Sequence, residues 1–375
     1  MIVAGEASGD LHGANLIKAL KQLNPELEVS GLGGPLMSQA GAEIYYNMMD
    51  LAVVGFTEVI KNLNEFKRVF KMLLEKLDSN PPDCVVLIDY PGFNLRLARE
   101  VKKRKIPVIY YISPQVWAWG RDRVKLIRKL VDRMLVIFEF EKEFYEKEGI
   151  DAIFVGHPLM DVVQPSMSVL DASSRFDLQN GKGTISLLPG SREKEVLRIL
   201  PIMLKSALLI KNAYPDTQFL LQEATSVDEE IFSKFTKFYP IPLHTVRGNN
   251  YDVLNVSNIV MVCSGTATLE TAIMQKPMVV IYKVSLLTSL MLRPIIRIPY
   301  IALVNVVAGK KVVPEFIQSN AKPELIANEV SGLLNDKDRM EKMRDELYKV
   351  KEKLGMSGAS LRAAREIIDF ISYPA

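Results

Sequence analysis

The most informative side chain in the sequence is Asp89, a carboxylate that directly follows the apolar run Val85–Ile88. Four consecutive apolar residues predict a strand buried on both faces, which is typical of a parallel sheet. Ligands of such sheets bind beyond the carboxyl ends of the strands, where Asp89 is expected to lie. A carboxylate there can accept the proton of a substrate hydroxyl as a general base. The alternative is that Asp89 only caps the Pro91-Gly92 turn or the helix that follows it.

Two loops in the second half of the chain have the composition of anion-binding sites. They are Leu188-Pro189-Gly190-Ser191-Arg192 and Ser264-Gly265-Thr266, and each precedes a predicted helix. Helix N-termini attract anions, and the planar guanidinium of Arg192 suits phosphate oxygens. Glu270 lies further along the second helix, where a carboxylate can bind ribose hydroxyls. Together the loops predict a nucleotide site; the alternative is that Ser191 and Ser264 are ordinary helix caps.

Composition and motif searches exclude several function classes. A net charge of +3 with dispersed basic residues argues against a nucleic-acid partner. The two cysteines, Cys84 and Cys263, lie in separate apolar runs and the three histidines are isolated, so neither a disulfide framework nor a zinc cluster is expected. The loops do not match the phosphate-binding loop of P-loop NTPases, and Gly5–Asp10 lacks the dinucleotide-binding glycine pattern. No signal peptide and no membrane-spanning apolar segment is recognised.

The elements that must position these residues alternate between strand and helix patterns, which predicts an α/β fold with parallel sheets. A chain of 375 residues is expected to form about two domains. A stretch rich in Ser, Asp, Asn and Gly, about 165–183, predicts a linker between domain 1–164 and domain 165–355. The tail helix, about 356–375, is expected to pack back on the first domain or to exchange with a partner chain in a homodimer. The first strand, Ile2–Ala4, is short, which leaves open a start upstream.

Seven motifs, spread from one end of the chain to the other, give the sequence a specific family resemblance. They are Ala4-Gly5-Glu6-Ala7-Ser8-Gly9-Asp10, Ile88–Asn94, Ser113-Pro114-Gln115-Val116-Trp117-Ala118-Trp119, Phe138–Tyr145, Gly156-His157-Pro158, Leu188–Arg192 and Ser264–Glu270. In these motifs the chain resembles the lipid-A-disaccharide synthases, bacterial glycosyltransferases with the two Rossmann-like domains called GT-B. Some members carry Asp where Gly92 stands here, which leaves Asp89 unaffected.

The resemblance implies a reaction of lipid A biosynthesis in a Gram-negative bacterium. The donor is UDP-2,3-diacylglucosamine and the acceptor is 2,3-diacylglucosamine 1-phosphate, called lipid X. The products are UDP and a β-1′,6-linked tetra-acyl disaccharide 1-phosphate. The α-linked donor becomes a β-glycoside, so the transfer inverts the anomeric centre and needs a base on the acceptor hydroxyl. No metal or other cofactor is expected, since the resemblance is to a class that usually needs none.

The same resemblance implies roles for residues in both domains. Asp89 would be the base on the 6-hydroxyl, and Arg192, with the helix start after Gly190-Ser191, would stabilise the departing UDP. Ser264-Gly265-Thr266 would bind the diphosphate, Glu270 the ribose, and Asn305 would lie near the donor. The residues expected on the acceptor side are Glu6, Ser8, Gly9 and, for the acceptor phosphate, Arg123. Trp117 and Trp119 are interpreted as packing residues.

An amphipathic, basic stretch indicates contact with a membrane. Val59, Ile60, Leu63 and Phe66 are interleaved with lysine and arginine, a pattern suited to an anionic interface. We therefore expect a cytoplasmic enzyme bound peripherally to the cytoplasmic face of the inner membrane. A second, weaker candidate is 286–300. The alternative is that both stretches are helices that face the core.

Three rival functions stay open at this stage. The first is another UDP-sugar GT-B enzyme, such as the one that makes the peptidoglycan lipid precursor. The second is a UDP-sugar 2-epimerase, which shares the two-domain architecture and needs no acyl chains. The third is a nucleotide-binding module that docks on membranes without catalysis.

Overall fold

A computed structural model describes residues 1–48, 63–117, 123–285 and 299–372 of the chain. The chain divides into two compact units, Met1–Asp161 with Leu354–Ala375, and Val162–Lys353. The sequence placed the corresponding boundaries at 164/165 and 355/356.

The first unit contains a parallel sheet, which among the described residues has seven strands in the order β3-β2-β1-β4-β5-β6-β7. In chain order the strands are β1 (Ile2–Ala4), β2 (Ser30–Gly33), β3 (Glu43–Asn47), β4 (Val85–Ile88), β5 (Val108–Tyr111), β6 (Arg133–Val136) and β7 (Ala152–Phe154). The helices of this part are α1 (Ala7–Leu23), α2 (Pro35–Gln39), α3 (Leu63–Ser79), α4 (Pro91–Lys103), α5 (Val124–Leu130), α6 (Glu139–Lys147) and α7 (Leu159–Val162).

The second unit has its own parallel sheet, with six strands in its described part in the order β10-β9-β8-β11-β12-β13. The strands are β8 (Thr184–Leu188), β9 (Gln218–Glu223), β10 (Leu243–Arg247), β11 (Ile259–Cys263), β12 (Met278–Tyr282) and β13 (Glu315–Ile317). The helices that follow α7 are α8 (Val169–Arg175), α9 (Glu193–Ala213), α10 (Glu229–Thr236), α11 (Asn250–Val256), α12 (Ala267–Ile273), α13 (Leu303–Ala308), α14 (Pro323–Asn335), α15 (Lys337–Lys353) and α16 (Ala359–Ser372).

The last helix, α16, belongs to the first unit and packs on α1. Arg362, on α16, donates from Nε to the carbonyl oxygen of Val155 at 2.8 Å. Arg133 lies over the ring of Phe370 at 5.1 Å, which fixes the far end of the helix. The alternative exchange of this helix between two chains stays a prediction.

The centre of each sheet is apolar on both faces, as the sequence predicts. All four residues of β4 are buried, and β11 is equally buried in the second sheet. Burial on both faces is what helices on either side of a parallel sheet produce. The α/β fold with two Rossmann-like sheets is therefore confirmed. Among the helices of the described ranges, none has both the length and the apolar character needed to cross a membrane.

The register of the first sheet decides which loops meet at its carboxyl edge. Ala4 pairs with Ile88, and Ile88 pairs with Tyr111. The residues that leave β1, β4 and β5 therefore emerge next to one another. In the second sheet Leu188 pairs with Val262, so the loops after β8 and β11 are neighbours in the same way.

Candidate functional site

Asp89 lies in a pocket of about 320 Å³ at the carboxyl edge of the first sheet. The pocket is built by loops that follow four neighbouring strands, β1, β4, β5 and β6. Its lining residues are Glu6, Asp89, Tyr90, Pro91, Ile112, Ser113, Gln115, Ile137, Phe138 and Glu141. Glu6 and Asp89, two residues that the sequence analysis names as candidates, thus line the same pocket, whereas Ile112, Phe138 and Glu141 are not among its candidates.

The backbone of the pocket is strained at three residues that are not glycine. Asp89, Tyr90 and Ile112 have φ angles of 45°, 46° and 61°, in the left-handed region. This region is uncommon for residues with a side chain and a genuine outlier for a β-branched isoleucine. Each such residue costs about 1–3 kcal/mol and persists where the surroundings over-determine it, most often at functional sites. Three of them lining one pocket make it the candidate functional site of this unit.

Two buried side chains hold the turn at Asp89. Asn94 donates from Nδ2 to the carbonyl oxygens of Ile88 at 3.1 Å and of Asp89 at 2.7 Å. The Tyr110 hydroxyl also donates to the carbonyl oxygen of Asp89, at 2.5 Å. The N-cap of α4 is Tyr90, without a side-chain hydrogen bond, so Asp89 does not serve as the cap of that helix. The backbone of Asp89 is thus anchored while its carboxylate faces the pocket.

The pocket raises the pKa of Asp89 to about 6. Burial is the larger cause, because it penalises the charged form, and the negative charge of Glu6 is the second. A carboxylate with a pKa near 6 is still mostly ionised at neutral pH, but it binds a proton more strongly than an ordinary aspartate. Both properties suit a general base.

Glu141 is a third carboxylate of the same pocket, and it is fully engaged. Its Oε1 accepts hydrogen bonds from the Ser113 hydroxyl at 2.8 Å and from Trp117 Nε1 at 3.0 Å. Its Oε2 accepts from the backbone N–H of Phe138 at 3.3 Å, which is the capping interaction of α6. Burial raises the pKa of Glu141 to about 7. The acidic lining suits uncharged hydroxyls better than phosphate groups.

The first loop, between β1 and α1, is shaped by close packing. Asp10 is buried and accepts from the backbone N–H groups of Gly34, Leu36 and Met37 at 2.8–3.0 Å, so it caps α2. A Cβ on Gly5 would lie 2.2 Å from Cδ1 of Tyr90, which explains the glycine there. Ser8 is exposed and Gly9 is buried, both in the first turn of α1.

Arg123 is the N-cap residue of α5, and it is not among the described residues that line the pocket. Its predicted contact with the acceptor phosphate stays a prediction.

In the second unit, Arg192 stands at the N-terminus of α9, next to the carboxyl end of β8. Its side chain is 76 % exposed, and its Nη1 contacts Oε1 of Glu195 at 3.0 Å. Gly190 has φ +118, and a Cβ there would lie 2.6 Å from Oε2 of Glu195. The glycine therefore allows the backbone and Glu195 to approach closely. Since the N-cap of α9 is Arg192 rather than Ser191, the serine is not a helix cap.

The neighbouring loop, after β11, has the same construction. Gly265 has φ +152, and Thr266 is the N-cap of α12 without a side-chain hydrogen bond. Ser264 donates instead to the carbonyl oxygen of Ile301 at 3.2 Å. The Tyr251 hydroxyl donates to Oε1 of Glu270 at 3.4 Å, and burial raises the pKa of Glu270. The carboxyl edge of the second sheet therefore carries the N-termini of α9 and α12, together with the exposed guanidinium of Arg192 and the carboxylate of Glu270.

Asn305 lies in the interior of the second unit. It is fully buried, and its Nδ2 donates to the carbonyl oxygen of Val313 at 2.9 Å and to Oε1 of Glu315 at 2.7 Å. Its Oδ1 accepts from the N–H groups of Val312 and Val313 at 2.8 and 3.0 Å. Because the amide is fully used, its observed role is to fix the connection between α13 and β13. Contact with the donor stays a prediction.

Only some of the residues predicted to contact a membrane are among the described residues. Val59 and Ile60, like most of 286–300, lie outside the described residues, and Leu63 is described only as the first residue of α3. Phe66 is partly buried against the core of the first unit. Membrane contact by this stretch stays a prediction.

Two Rossmann-like parallel sheets define the GT-B class of glycosyltransferase folds. Solved structures with this fold include a UDP-GlcNAc 2-epimerase from Neisseria meningitidis bound to UDP-GlcNAc, with a TM-score of 0.64 and 14% identity over 96% of this chain and 97% of that one. Another is the glycosyltransferase of kitacinnamycin, with a TM-score of 0.62 and 15% identity over 98% of both chains. At these identities the similarity shows the fold alone.

Sequence comparison identifies the family. A family model described as lipid-A-disaccharide synthetase matches residues 1–367. The lipid-A-disaccharide synthase of Geobacter sulfurreducens is 44% identical over 371 residues, 99% of this chain and 97% of that protein. That of Syntrophus aciditrophicus is 47% identical over 365 residues, 97% of this chain and 95% of that protein. The chain belongs to the lipid-A-disaccharide synthase family and is a hexosyltransferase. The resemblance drawn from the motifs is confirmed.

Proposed function

We propose that this enzyme transfers the diacylglucosaminyl group of UDP-2,3-diacylglucosamine to the 6-hydroxyl of 2,3-diacylglucosamine 1-phosphate. The single observation that carries the proposal is Asp89, anchored in a strained turn of an acidic pocket with its pKa raised to about 6. An acidic pocket accepts a neutral sugar hydroxyl and provides the group that deprotonates it. The products are UDP and the β-1′,6-linked tetra-acyl disaccharide 1-phosphate.

The reaction is a single displacement at the anomeric carbon. Asp89 takes the proton of the 6-hydroxyl as the oxygen attacks C1 of the donor sugar from the face opposite UDP. The new carbon–oxygen bond forms while the bond from C1 to the diphosphate oxygen breaks, and its electron pair leaves with UDP. General-base assistance contributes about 10²–10⁴ to the rate.

The edge of the second sheet provides the donor site in this proposal. Arg192 and the N-terminus of α9 after Gly190-Ser191 stabilise the charge that develops on the diphosphate, which is the usual role of such preorganised donors. Ser264-Gly265-Thr266 supplies a second helix N-terminus for the diphosphate. Glu270, held by Tyr251 at 3.4 Å, accepts hydrogen bonds from the ribose hydroxyls.

The acceptor side is formed by Glu6, Ser8 and Gly9, and Arg123 is proposed to contact the acceptor phosphate outside the acidic pocket. We propose that the enzyme acts at the cytoplasmic face of the inner membrane, because both proposed substrates carry acyl chains. The amphipathic stretch that contains Val59, Ile60, Leu63 and Phe66 supplies the contact.

The test is product formation by purified enzyme and by the Asp89→Asn variant, with the tetra-acyl product measured by mass spectrometry. We expect wild-type enzyme to form the product and the variant to lose about 10²–10⁴ in kcat while binding UDP normally. Asp83→Asn is a matched control, because Asp83 is an exposed aspartate at the opposite end of β4. Full turnover by Asp89→Asn would refute the role of Asp89, and loss of UDP binding would make that residue structural.

A further inference from the structure

Glu141 connects two loops that the sheet alone does not connect. Ser113 and Trp117 belong to the loop that leaves β5, whereas Phe138 leaves β6. The Glu141 carboxylate binds all three, at 2.8, 3.0 and 3.3 Å. Burying a carboxylate is unfavourable unless its oxygens are hydrogen-bonded, and here both oxygens are used. This arrangement is more than a helix cap needs, since the cap requires only the bond to Phe138.

The loop after β5, which Glu141 holds through Ser113 and Trp117, also contains one of the strained residues of the pocket. Ile112, with φ 61°, directly precedes Ser113, and both line the pocket with Asp89. Trp117 is further fixed by an edge-on contact with Phe140, whose ring centre lies 5.0 Å away. The two anchors, Ser113 and Trp117, therefore bracket the part of the loop that contains Gln115, another lining residue.

We propose that Glu141 is a positioning residue for the acceptor: its carboxylate clamps the loop 112–117 to the end of β6 and so shapes the part of the pocket wall that this loop forms for the incoming sugar. The proposal rests on the proposed function for the identity of the acceptor. Glu141 does not exchange a proton with the substrate in this role. It keeps Ile112 in its left-handed conformation and keeps Ser113 and Gln115 directed at the pocket.

The test compares Glu141→Gln with wild type in steady-state assays that vary lipid X and the UDP-sugar separately. Glutamine has nearly the same shape, but one carboxylate oxygen is replaced by an NH₂ group, which cannot accept a hydrogen bond. In one orientation this group faces the N–H of Phe138, and in the other it faces the donors on Ser113 and Trp117, so at least one hydrogen bond is lost in either case. Loss of one hydrogen bond to a charged group predicts an increase of about tenfold in the KM for lipid X, with the KM for the UDP-sugar within about twofold of wild type. Ser113→Ala removes one of the clamped groups and is expected to change the KM for lipid X in the same direction.

A second measurement does not depend on activity. Hydrogen exchange of the 112–117 amides is expected to be faster in Glu141→Gln, while exchange of 184–192 in the second unit is unchanged. Glu143→Gln is the matched control, because Glu143 lies two residues after Glu141 on the same helix, is exposed, and contacts Lys147.

The outcomes separate this inference from the proposed function. Equal changes in both KM values with a lower melting temperature, or unchanged exchange of the loop, would overturn the positioning role. If wild-type enzyme makes no tetra-acyl product, the proposed function fails, and the exchange measurement still decides whether Glu141 clamps the loop.

Discussion

Glu6 and Asp89 line the same pocket, and the negative charge of Glu6 contributes to the raised pKa of Asp89 after burial. The two residues follow β1 and β4, which are neighbours in the sheet although more than 80 positions separate the two residues in the chain. Their proximity is therefore a product of the sheet order. It links the residue proposed as the base to a group that adjusts its proton affinity.

The first prediction concerns the pH dependence of the reaction. A base must be ionised to act, so kcat/KM is expected to be constant above the Asp89 pKa of about 6 and to fall tenfold per pH unit well below it. Glu6→Gln removes the neighbouring charge and should move this acid limb to lower pH. The pH–rate profiles of the two enzymes provide the measurement. An acid limb at the same pH in both would show that Glu6 does not act on Asp89.

The second prediction concerns the stability cost of the proposed base. The folded-state pKa of Asp89 is raised above the unfolded value, so the folded state binds the proton more strongly and loses stability as pH rises from about 4 to 6. Asp89→Asn is therefore expected to raise the free energy of unfolding by about 3 kcal/mol at pH 8, and to have little effect at pH 4. Urea denaturation at the two pH values measures this. A variant that is less stable than wild type at pH 8 would contradict it.

The third prediction concerns acid denaturation of the first unit. Burial lowers the pKa of His12 to about 4, and burial with the charge of His12 lowers that of His157 to about 3. The unfolded chain takes up these protons below about pH 6.5, so each residue reduces stability by about 1.4 kcal/mol per pH unit until its folded-state pKa is reached. His157→Asn keeps an acceptor for the Leu159 N–H. Between the folded-state pKa and pH 6.5, the free energy of unfolding of this variant should change with pH by about 1.4 kcal/mol per unit less than that of wild type. His244→Asn is the control, and an unchanged slope in His157→Asn would oppose the prediction.

The fourth prediction tests the donor side through Arg192. Arg192→Ala should lower kcat by about 10²–10³, since it removes a preorganised positive group from the leaving diphosphate. Lys194→Ala, at another exposed basic residue of the same helix start, should change kcat little. Single-turnover assays separate the chemical step from UDP release. Near-normal turnover by Arg192→Ala would exclude the role.

The fifth prediction concerns the membrane. Replacing Val59, Ile60 and Leu63 by serine should release the enzyme from vesicles that contain anionic lipid, because apolar insertion supplies part of the binding energy. Leu170→Ser is a suitable control, since Leu170 is 71% exposed but lies in the second unit. Vesicle co-sedimentation measures the change, with circular dichroism to show that the variant is folded. Unchanged sedimentation would favour the alternative of a core-facing helix.

The sequence predicted the buried strand Val85–Ile88 and the two loops around Gly190 and Gly265 because these features depend on local patterns. Hydrophobic runs and glycines at strand ends reflect neighbours along the chain. The role of Glu141 could not be read in this way, because its partners at 113, 117 and 138 meet only in the folded sheet. The one available signal was the spacing of Phe138 and Glu141, because a glutamate three residues after the N-cap often caps a helix.

Asn305 shows the opposite limit of sequence reasoning. The family resemblance places Asn305 near the donor, which stays a prediction, and the fold shows that its amide closes the connection to β13 and is fully bonded. A buried amide with complete hydrogen bonding and one that faces a ligand have the same signature in sequence. Only the positions of Val312, Val313 and Glu315 distinguish them.

The left-handed residues at Asp89, Tyr90 and Ile112 also have a consequence for laboratory evolution. Selection for heat tolerance rewards substitutions that relax unfavourable torsion angles, and glycine at 90 or 112 offers such relief. Thermostable descendants of this enzyme are therefore expected to accumulate changes beside their own pocket and to turn over more slowly than the parent.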